Sequence, residues 1–358
     1  MKARKFIRDK ASSTWTGLSV YSSFHRYNRS IYSNPNFERS KLTSGEKKEY
    51  YNYWKQISPI VSFKTVEMSK SLSGVFNKRI IPEEFFLLYI EPYLNNNKDV
   101  AFLGNKSIYN KWFGGELFPK DFFHKLNNIY YTYDFDVIDD IEIFIDNTMN
   151  VNDFPVVAKP NKDSYGGANI YFLKNKDEVK KIIKDHPDLV VQEKLQQSEL
   201  INELNKDSIN TVRTCLYKDS KNTIHFLGSG IRMGVDGSLD NVSDGGIICT
   251  INSDGSLDKY AFDKYVNKYL AHPNSNTVFA DKRLPLYEDL VETSKSVFEK
   301  IPEARLVSLD MCLDNTEKWR CIEVNLFGQT TRFMQYVGEP FLGEFTDEVI
   351  DSIVNLKS

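Results

Sequence analysis

The 358-residue chain has little cysteine and little histidine. Its four cysteines, Cys215, Cys249, Cys312 and Cys321, are too few and too scattered for a disulfide framework. No two stand as C-x-x-C, which argues against a zinc site. The chain also lacks an excess of either charge: 46 Lys and Arg against 49 Asp and Glu give −3 at pH 7. A protein held to nucleic acid by bulk charge is thereby excluded, leaving at most a local basic groove. Long apolar runs are missing as well. The densest, residues 85–90, falls far short of the ~20 residues of a membrane helix. The basic N-terminus lacks the apolar core of ~7–15 residues of a secretory signal. These absences predict a soluble, cytoplasmic protein with reduced thiols, no nucleic-acid partner and no transmembrane segment; the oligomeric state leaves no mark. What is present suffices for a core: 41% hydrophobic and 27% charged residues exclude a disordered chain. At ~150 residues per domain, the length suits roughly two domains.

Patterning along the chain begins polar and aromatic to about residue 58, with a helix over 44–57 capped by Ser44. A second helix starts at Pro82, with Glu83 and Glu84 at its positive end and apolar residues through 94. Residues 100–103, ending at Gly104, predict a strand, and 134–145 predict another from apolar residues alternating with acids. A buried strand over 154–160 leads into a Gly-, Ser- and Asn-rich loop, then a helix over 177–185 and a strand over 189–192. Strands follow at 211–217, 223–233, 246–251 and 257–262, the last two joined by a turn at 253–255. An amphipathic helix spans 286–300, with Leu286, Leu290, Val297 and Ile301 near one face. Two strands, 306–313 and 319–325, flank a polar turn, and no internal repeat is visible.

Five motifs could carry chemistry. In strand 306–313, Val307, Leu309, Met311 and Leu313 share one face and Ser308, Asp310 and Cys312 the other. In 319–325, Ile322 and Val324 point one way and Cys321, Glu323 and Asn325 the other. Asp310, Glu323 and Asn325 would then converge as hard oxygen ligands suited to Mg²⁺. A surface hairpin with a solvated polar face shows the same alternation. The second motif, Val156-Val-Ala-Lys159-Pro, leads into Asp163-Ser-Tyr-Gly-Gly167, where glycines let backbone N–H groups approach phosphates and the lysine adds a point charge. It is neither a Walker A pattern nor a Rossmann fingerprint, and a hairpin tip that needs glycine reads alike. In the third, Val190-Val-Gln-Glu193-Lys-Leu195, a strand end could pair its backbone with an adenine edge, with Glu199 reaching ribose; a solvated charge pair is the plainer alternative. The fourth is Arg213 and Arg232 on facing strands, a fork for phosphate or carboxylate or simply two cross-strand surface residues. The fifth, Asp240-Asn-Val-Ser-Asp-Gly-Gly246, is a substrate or phosphate loop, or a plain turn.

In this order the motifs resemble the ATP-grasp superfamily over about residues 100–330. The match opens at Gly104-Asn-Lys106-Ser-Ile-Tyr and runs through Val-Val-Ala-Lys159-Pro, Ser164-Tyr-Gly-Gly, Gln-Glu193-Lys-Leu and Leu-Asp310-Met to Ile-Glu323-Val-Asn325. Within it the chain is most similar to the sugar-transfer-associated group, through Ser208-Ile-Asn-Thr-Val-Arg213, Asp240-Asn-Val-Ser-Asp-Gly-Gly-Ile247, His272-Pro273 and, upstream, Ile81-Pro-Glu-Glu-Phe and Ile90-Glu-Pro-Tyr-Leu.

The resemblance implies an α+β fold in which two α+β subdomains clasp ATP after a smaller N-terminal helical region. It divides the chain into an N-terminal helical segment (1–60), a pre-ATP-grasp region (61–150), a small subdomain (151–197) and a C-terminal subdomain with the metal site (198–358). It implies that Lys106 and Lys159 neutralise ATP phosphates under a loop containing Ser164, Gly166 and Gly167. Glu193 and Leu195 would hold adenine, mainly by backbone, and Glu199 ribose. Asp310, Glu323 and Asn325 would bind one or two Mg²⁺. Arg213 and Arg232, with Lys159, would face the γ-phosphate and an acyl phosphate, and Asn241, Gly245 and Gly246 the acceptor. The chain departs from the family after Asn325, reading Leu-Phe-Gly-Gln where Pro or Gly is common, which touches the acceptor pocket more than the metal site. The implied activity is ATP- and Mg²⁺-dependent joining of a small-molecule carboxylate to an amine, with sugar-linked substrates among the candidates, in cell-surface polysaccharide (capsule) biosynthesis. Phosphotransfer on the same fold and ATP binding without turnover are the alternatives. No histidine (25, 124, 186, 225, 272) is needed as a nucleophile or base.

Overall fold

The computed structural model describes residues 19–95, 100–162, 169–238 and 240–356. Its N-terminal part is helical: a stretch over 19–32, α1 (Ser44–Trp54), α2 (Lys64–Ser73) and a helical run from Glu83 to Leu94 whose middle, Phe86–Ile90, is wound as a π-helix. The cap of α1 is Thr43, one residue before the expected Ser44. Thr43 Oγ1 accepts from Glu46 N at 3.2 Å, and Glu46 Oε2 accepts from Thr43 N at 2.7 Å. Counted from Ser44 the third position is Lys47, which cannot close a capping box; counted from Thr43 it is Glu46, which does.

Next comes a five-stranded antiparallel sheet of order β2-β1-β5-β3-β4, made of β1 (Asp121–Leu126), β2 (Ile129–Tyr131), β3 (Val156–Lys159), β4 (Tyr171–Leu173) and β5 (Leu189–Glu193). One face packs Phe123, Val156, Ala158, Leu189 and Val191 against α3 (Ile141–Thr148) and α4 (Lys176–Asp185). The strand expected over 134–145 is instead a loop followed by α3. Asp140 caps that helix by accepting from Glu142 N and Ile143 N, each at 3.0 Å, and this local bond outweighs a short alternation. The strand expected at 100–103 is a 3-10 turn, Ala101–Gly104, in which only Leu103 is buried; a four-residue apolar run does not distinguish the two. The β1–β2 hairpin went unread, although its turn residues Asn127 and Asn128 both have positive φ, which Asn tolerates.

The second sheet has seven antiparallel strands in the order β10-β9-β8-β7-β6-β11-β12. They are β6 (Thr211–Lys218), β7 (Ile224–Met233), β8 (Ile247–Ile251), β9 (Leu257–Phe262), β10 (Lys268–Tyr269), β11 (Leu306–Leu313) and β12 (Trp319–Asn325). The turn expected at 253–255 closes β8 onto β9, with Gly255 at φ 87°. One face buries Val212, Ile231, Leu309 and Met311 under α5 (Tyr287–Glu299). The other packs Cys215, Tyr217 and Ile248 against the N-terminal helices and α6 (Thr346–Asn355). The N-terminal part is therefore a wall of the large sheet. Asn95 pins it there: wholly buried, its side chain donates to Leu306 O and Leu326 O at 2.7 and 2.8 Å and accepts from Arg305 N and Leu306 N at 3.0 Å. The short helix Arg332–Gln335 lies across β7, with the end of the Met334 side chain over Gly228. The α+β class expected from the sequence is observed.

Candidate functional site

The site lies on the face of the large sheet that the N-terminal wall covers only in part. Glu323, Asp310, Arg213 and Gly230 are successive cross-strand neighbours along β12, β11, β6 and β7, so their side-chain positions share that face. Asp310 accepts from Arg213 through both carboxylate oxygens, with Nη2 at 3.0 Å from Oδ2, and a third contact comes from Arg232 Nη2 at 3.1 Å. Burial alone would push the Asp310 carboxyl up; the two guanidinium groups hold it below the usual carboxylate range. Arg232 also donates to Thr211 Oγ1 at 3.0 Å (Nε) and 2.6 Å (Nη2) and lies 3.2 Å from Asp240, to which Thr211 itself donates. The start of the loop containing Asn241, Gly245 and Gly246 is thereby tied to the charged row. Within the loop, Asn241 O accepts from Asp244 N and Gly246 N at 3.0 Å. A Cβ on Gly246 would come within 3.0 Å of three backbone carbonyls, so this tight loop needs glycine.

A bulge sets which residues of β12 face the site. Asp310 pairs with Glu323 and Met311 with Cys321, so Ile322 is the extra residue. Cys321 consequently turns to the core beside Met311, which corrects the expectation that it shares a face with Glu323 and Asn325. Burial pushes the Cys215 and Cys312 thiols up to about 11 and about 12, and raises Cys321 too, so these cysteines are inert packing.

Lys106 comes from the segment before the small sheet and reaches Glu323 Oε1 at 2.8 Å while only 4% exposed. Its backbone is fixed by the turn after β3: Lys106 N donates to Asn161 O at 3.0 Å and Ser107 N to Asn161 Oδ1 at 2.8 Å. That turn follows Lys159, so the two lysines are held together. Lys159 is 6% exposed, and its ammonium makes no ion pair or hydrogen bond with any described residue. Burial first, and then the nearby Lys106, bring its ammonium down to about 8, against the opposing pull of Glu323 and Asp121. A buried lysine without a carboxylate partner is an anion site in waiting.

Residues 178–349 match the sugar-transfer associated ATP-grasp family. The match covers just under half of the chain and carries Arg213, Arg232, Asp310, Glu323 and Asn325; Lys106 and Lys159 lie upstream of it. The resemblance read from the motifs holds over this stretch. Among solved structures the chain is similar to N5-carboxyaminoimidazole synthetase from Staphylococcus aureus complexed with ADP, at 10% identity and a TM-score of 0.41, over 73% of this chain and 53% of that one. It is similar also to D-alanyl-alanine synthetase A from Vibrio cholerae, at 13% identity and 0.43, over 73% and 68%. An L-amino acid ligase from Bacillus licheniformis matches at 11% and 0.39, over 72% and 46%. The chain thus spans about half the length of the first of these proteins. No curated protein matches it.

The other sequence-predicted residues divide. Ser164, Gly166 and Gly167 lie outside the described residues. Glu193 ends β5, but its carboxylate accepts from Lys120 N at 2.9 Å and Arg320 at 3.1 Å, and its N–H donates to Lys120 O at 2.9 Å. Leu195 is buried, and Glu199 is exposed at the start of a short helix, Glu199–Asn202. His272 is wholly buried, with Nε2 3.0 Å from Gly234 O and Nδ1 accepting from Asn274 N and Ser275 N at 3.3 Å; it organises its loop. Sequence reasoning assigned no role to Asp240, Thr211 or Asn161. Thr211 was findable, because it lies two residues before Arg213 and so on the same face.

Asp310, Glu323 and Asn325 offer two carboxylates and an amide oxygen from adjacent strands, a donor set of the kind Mg²⁺ takes alongside water and phosphate oxygens. Asn325 Oδ1 accepts no side-chain hydrogen bond from the described residues, whereas its buried Nδ2, a donor, calls for an acceptor and not for a cation. A cation here would share carboxylates that the described residues already pair, Asp310 with Arg213 and Arg232 and Glu323 with Lys106, while the Lys159 ammonium has no such pairing.

Proposed function

We propose that the chain is an ATP-dependent ligase that joins a carboxylate to an amine through an acyl phosphate. The observation that carries this reading is Lys159, whose buried ammonium makes no ion pair or hydrogen bond with any described residue beside the Lys106–Glu323 pair. In this reading Lys106 and Lys159 take the nucleotide phosphates, with the loop containing Ser164, Gly166 and Gly167 over them. Glu193 and Leu195 lie at adenine; with the Glu193 N–H already committed, contact falls to Leu195 and to the Glu193 carbonyl. Glu199 reaches ribose. Asp310, Glu323 and Asn325 would hold Mg²⁺, which when bound neutralises phosphate charge.

A carboxylate oxygen of the first substrate attacks the γ-phosphorus, and ADP leaves. The amine then attacks the acyl carbon, the C–O bond to phosphate breaks, and the amine gives up a proton as the amide forms. Arg213 and Arg232 are pre-oriented by Asp310 and Thr211, so they can stabilise the transferring phosphoryl group without reorganising. Asn241, Gly245 and Gly246 flank the acceptor. The family's description supports a setting in sugar transfer, and so in cell-surface polysaccharide synthesis.

The test is release of ADP and phosphate from MgATP, with and without pools of amino acids and of amino and uronic sugars. Equal release of both, stimulated by a carboxylate–amine pair and accompanied by a new amide by mass, is expected. A stable phosphorylated product would point to phosphotransfer instead, and tight binding without turnover to a nucleotide-binding protein.

A further inference from the structure

The segment from Asn325 to Arg332, which joins β12 to the short helix, carries buried nitrogen donors without acceptors. Asn325 Nδ2, Gln329 Nε2 and Arg332 Nη1 have no partner among the described residues, and Gln329 is only 4% exposed. Buried N–H groups are nearly always paired, so each is an opening for a ligand. The segment is also held rigidly. Gln329 Oε1 accepts from Ser308 Oγ at 2.5 Å, which fixes the amide so that its NH₂ is the free end. Glu91 accepts from Gly328 N and Gln329 N at 2.9 Å, and Glu83 grips Arg332 with Nε at 2.8 Å. Both glutamates belong to the N-terminal wall. Ser308 is the cross-strand neighbour of Asn325 and stands two residues before Asp310 on the same face. The free amide nitrogens of Asn325 and Gln329 therefore flank Ser308 at one end of the charged row.

Both nitrogens donate and cannot accept, so the group they take must present oxygen acceptors; a carboxylate presents two and, unlike a hydroxyl or amide, needs no acceptor in return. We infer that Asn325 and Gln329 form the subsite for the carboxylate of the first substrate, and that the N-terminal wall exists in part to hold it. The inference rests on the ligase reading and names the group that reading requires beside the phosphoryl site. It also assigns a purpose to Gln329, at the point where the chain departs from the family pattern.

The full chain is titrated calorimetrically with MgADP and, separately, with D-glucuronate, L-glutamate and D-lactate. D-Glucose and 1,2-propanediol serve as carboxylate-free counterparts. At least one acid should bind while its neutral counterpart does not. Gln329→Glu, which places an acceptor where a donor is needed, should weaken that acid at least about tenfold and leave MgADP affinity within about twofold. Gln329→Met removes the donor without adding charge and should act in the same direction; thermal unfolding confirms that each variant folds. Unchanged acid affinity in both variants overturns the subsite, as does failure of every acid to bind while MgADP binds. If acids bind and respond to Gln329 but MgADP does not bind, the ATP reading falls and the subsite stands.

Discussion

The two sheets treat their buried cations in opposite ways. On the large sheet Arg213 and Arg232 share Asp310, and Arg232 has Asp240 as well. On the small sheet Lys159 stands with no partner among the described residues, and burial depresses its ammonium. The large sheet is neutralised from within and so keeps its geometry before any ligand arrives. The small sheet holds a buried positive charge that no described residue pairs with directly, and an anionic ligand would satisfy it. An anion that fills the small sheet while touching the large one would bind both, which is what a clasp around a polyphosphate requires.

The largest break in this contrast should come from Asp310→Asn. It leaves two buried guanidinium groups short of charge, so stability should fall by on the order of 3 kcal/mol in denaturant unfolding. ATP turnover should fall at least about a hundredfold. Glu323→Gln should cost turnover similarly but less stability, about 2 kcal/mol, because it leaves one buried ammonium, Lys106, without its carboxylate where Asp310→Asn leaves two guanidinium groups. Near-normal turnover in either variant would remove that residue from the proposed metal site.

A smaller effect separates the sheets by pH. Lys159 has a folded-state value of about 8 against ~10.4 unfolded, so the unfolded chain binds more protons between those values. The penalty for holding its charge is therefore full below pH 8 and relieved as pH rises towards 10, by no more than about 3 kcal/mol. Subtracting the stability profile of Lys159→Met from that of wild type should isolate this rise; a flat difference would show that Lys159 is not desolvated. Phosphate binding restores the proton, so MgADP binding at pH 8 should take up about half a proton, seen as a buffer-dependent calorimetric enthalpy.

Much of the charged row was legible because strands obey a period of two. Alternation alone placed Asp310 and Glu323 on one face of a hairpin, and in the structure they are cross-strand neighbours. The bulge at Ile322 was not legible, since an extra residue depends on the partner strand, and it moved Cys321 to the core. The N-terminal wall was hidden for another reason. Glu91 meets Gln329 and Glu83 meets Arg332 across more than two hundred residues of chain, and no local pattern encodes such contacts. Helix-capping detail failed by one residue at Thr43, where two plausible caps adjoin. Resemblance to a family supplied the order of the motifs, but not the ties of Asp240 and Thr211 to Arg232 that fix one end of the site.

The measurement that tests the clasp most directly is calorimetric titration of MgADP into wild type and Lys159→Met at pH 7. The account predicts binding to wild type, an affinity at least about tenfold weaker in the variant, and a variant no less stable than wild type because a buried unpaired charge has been removed. Equal affinity in the two proteins would contradict it, since the open charge of the small sheet would then have no part in holding the nucleotide.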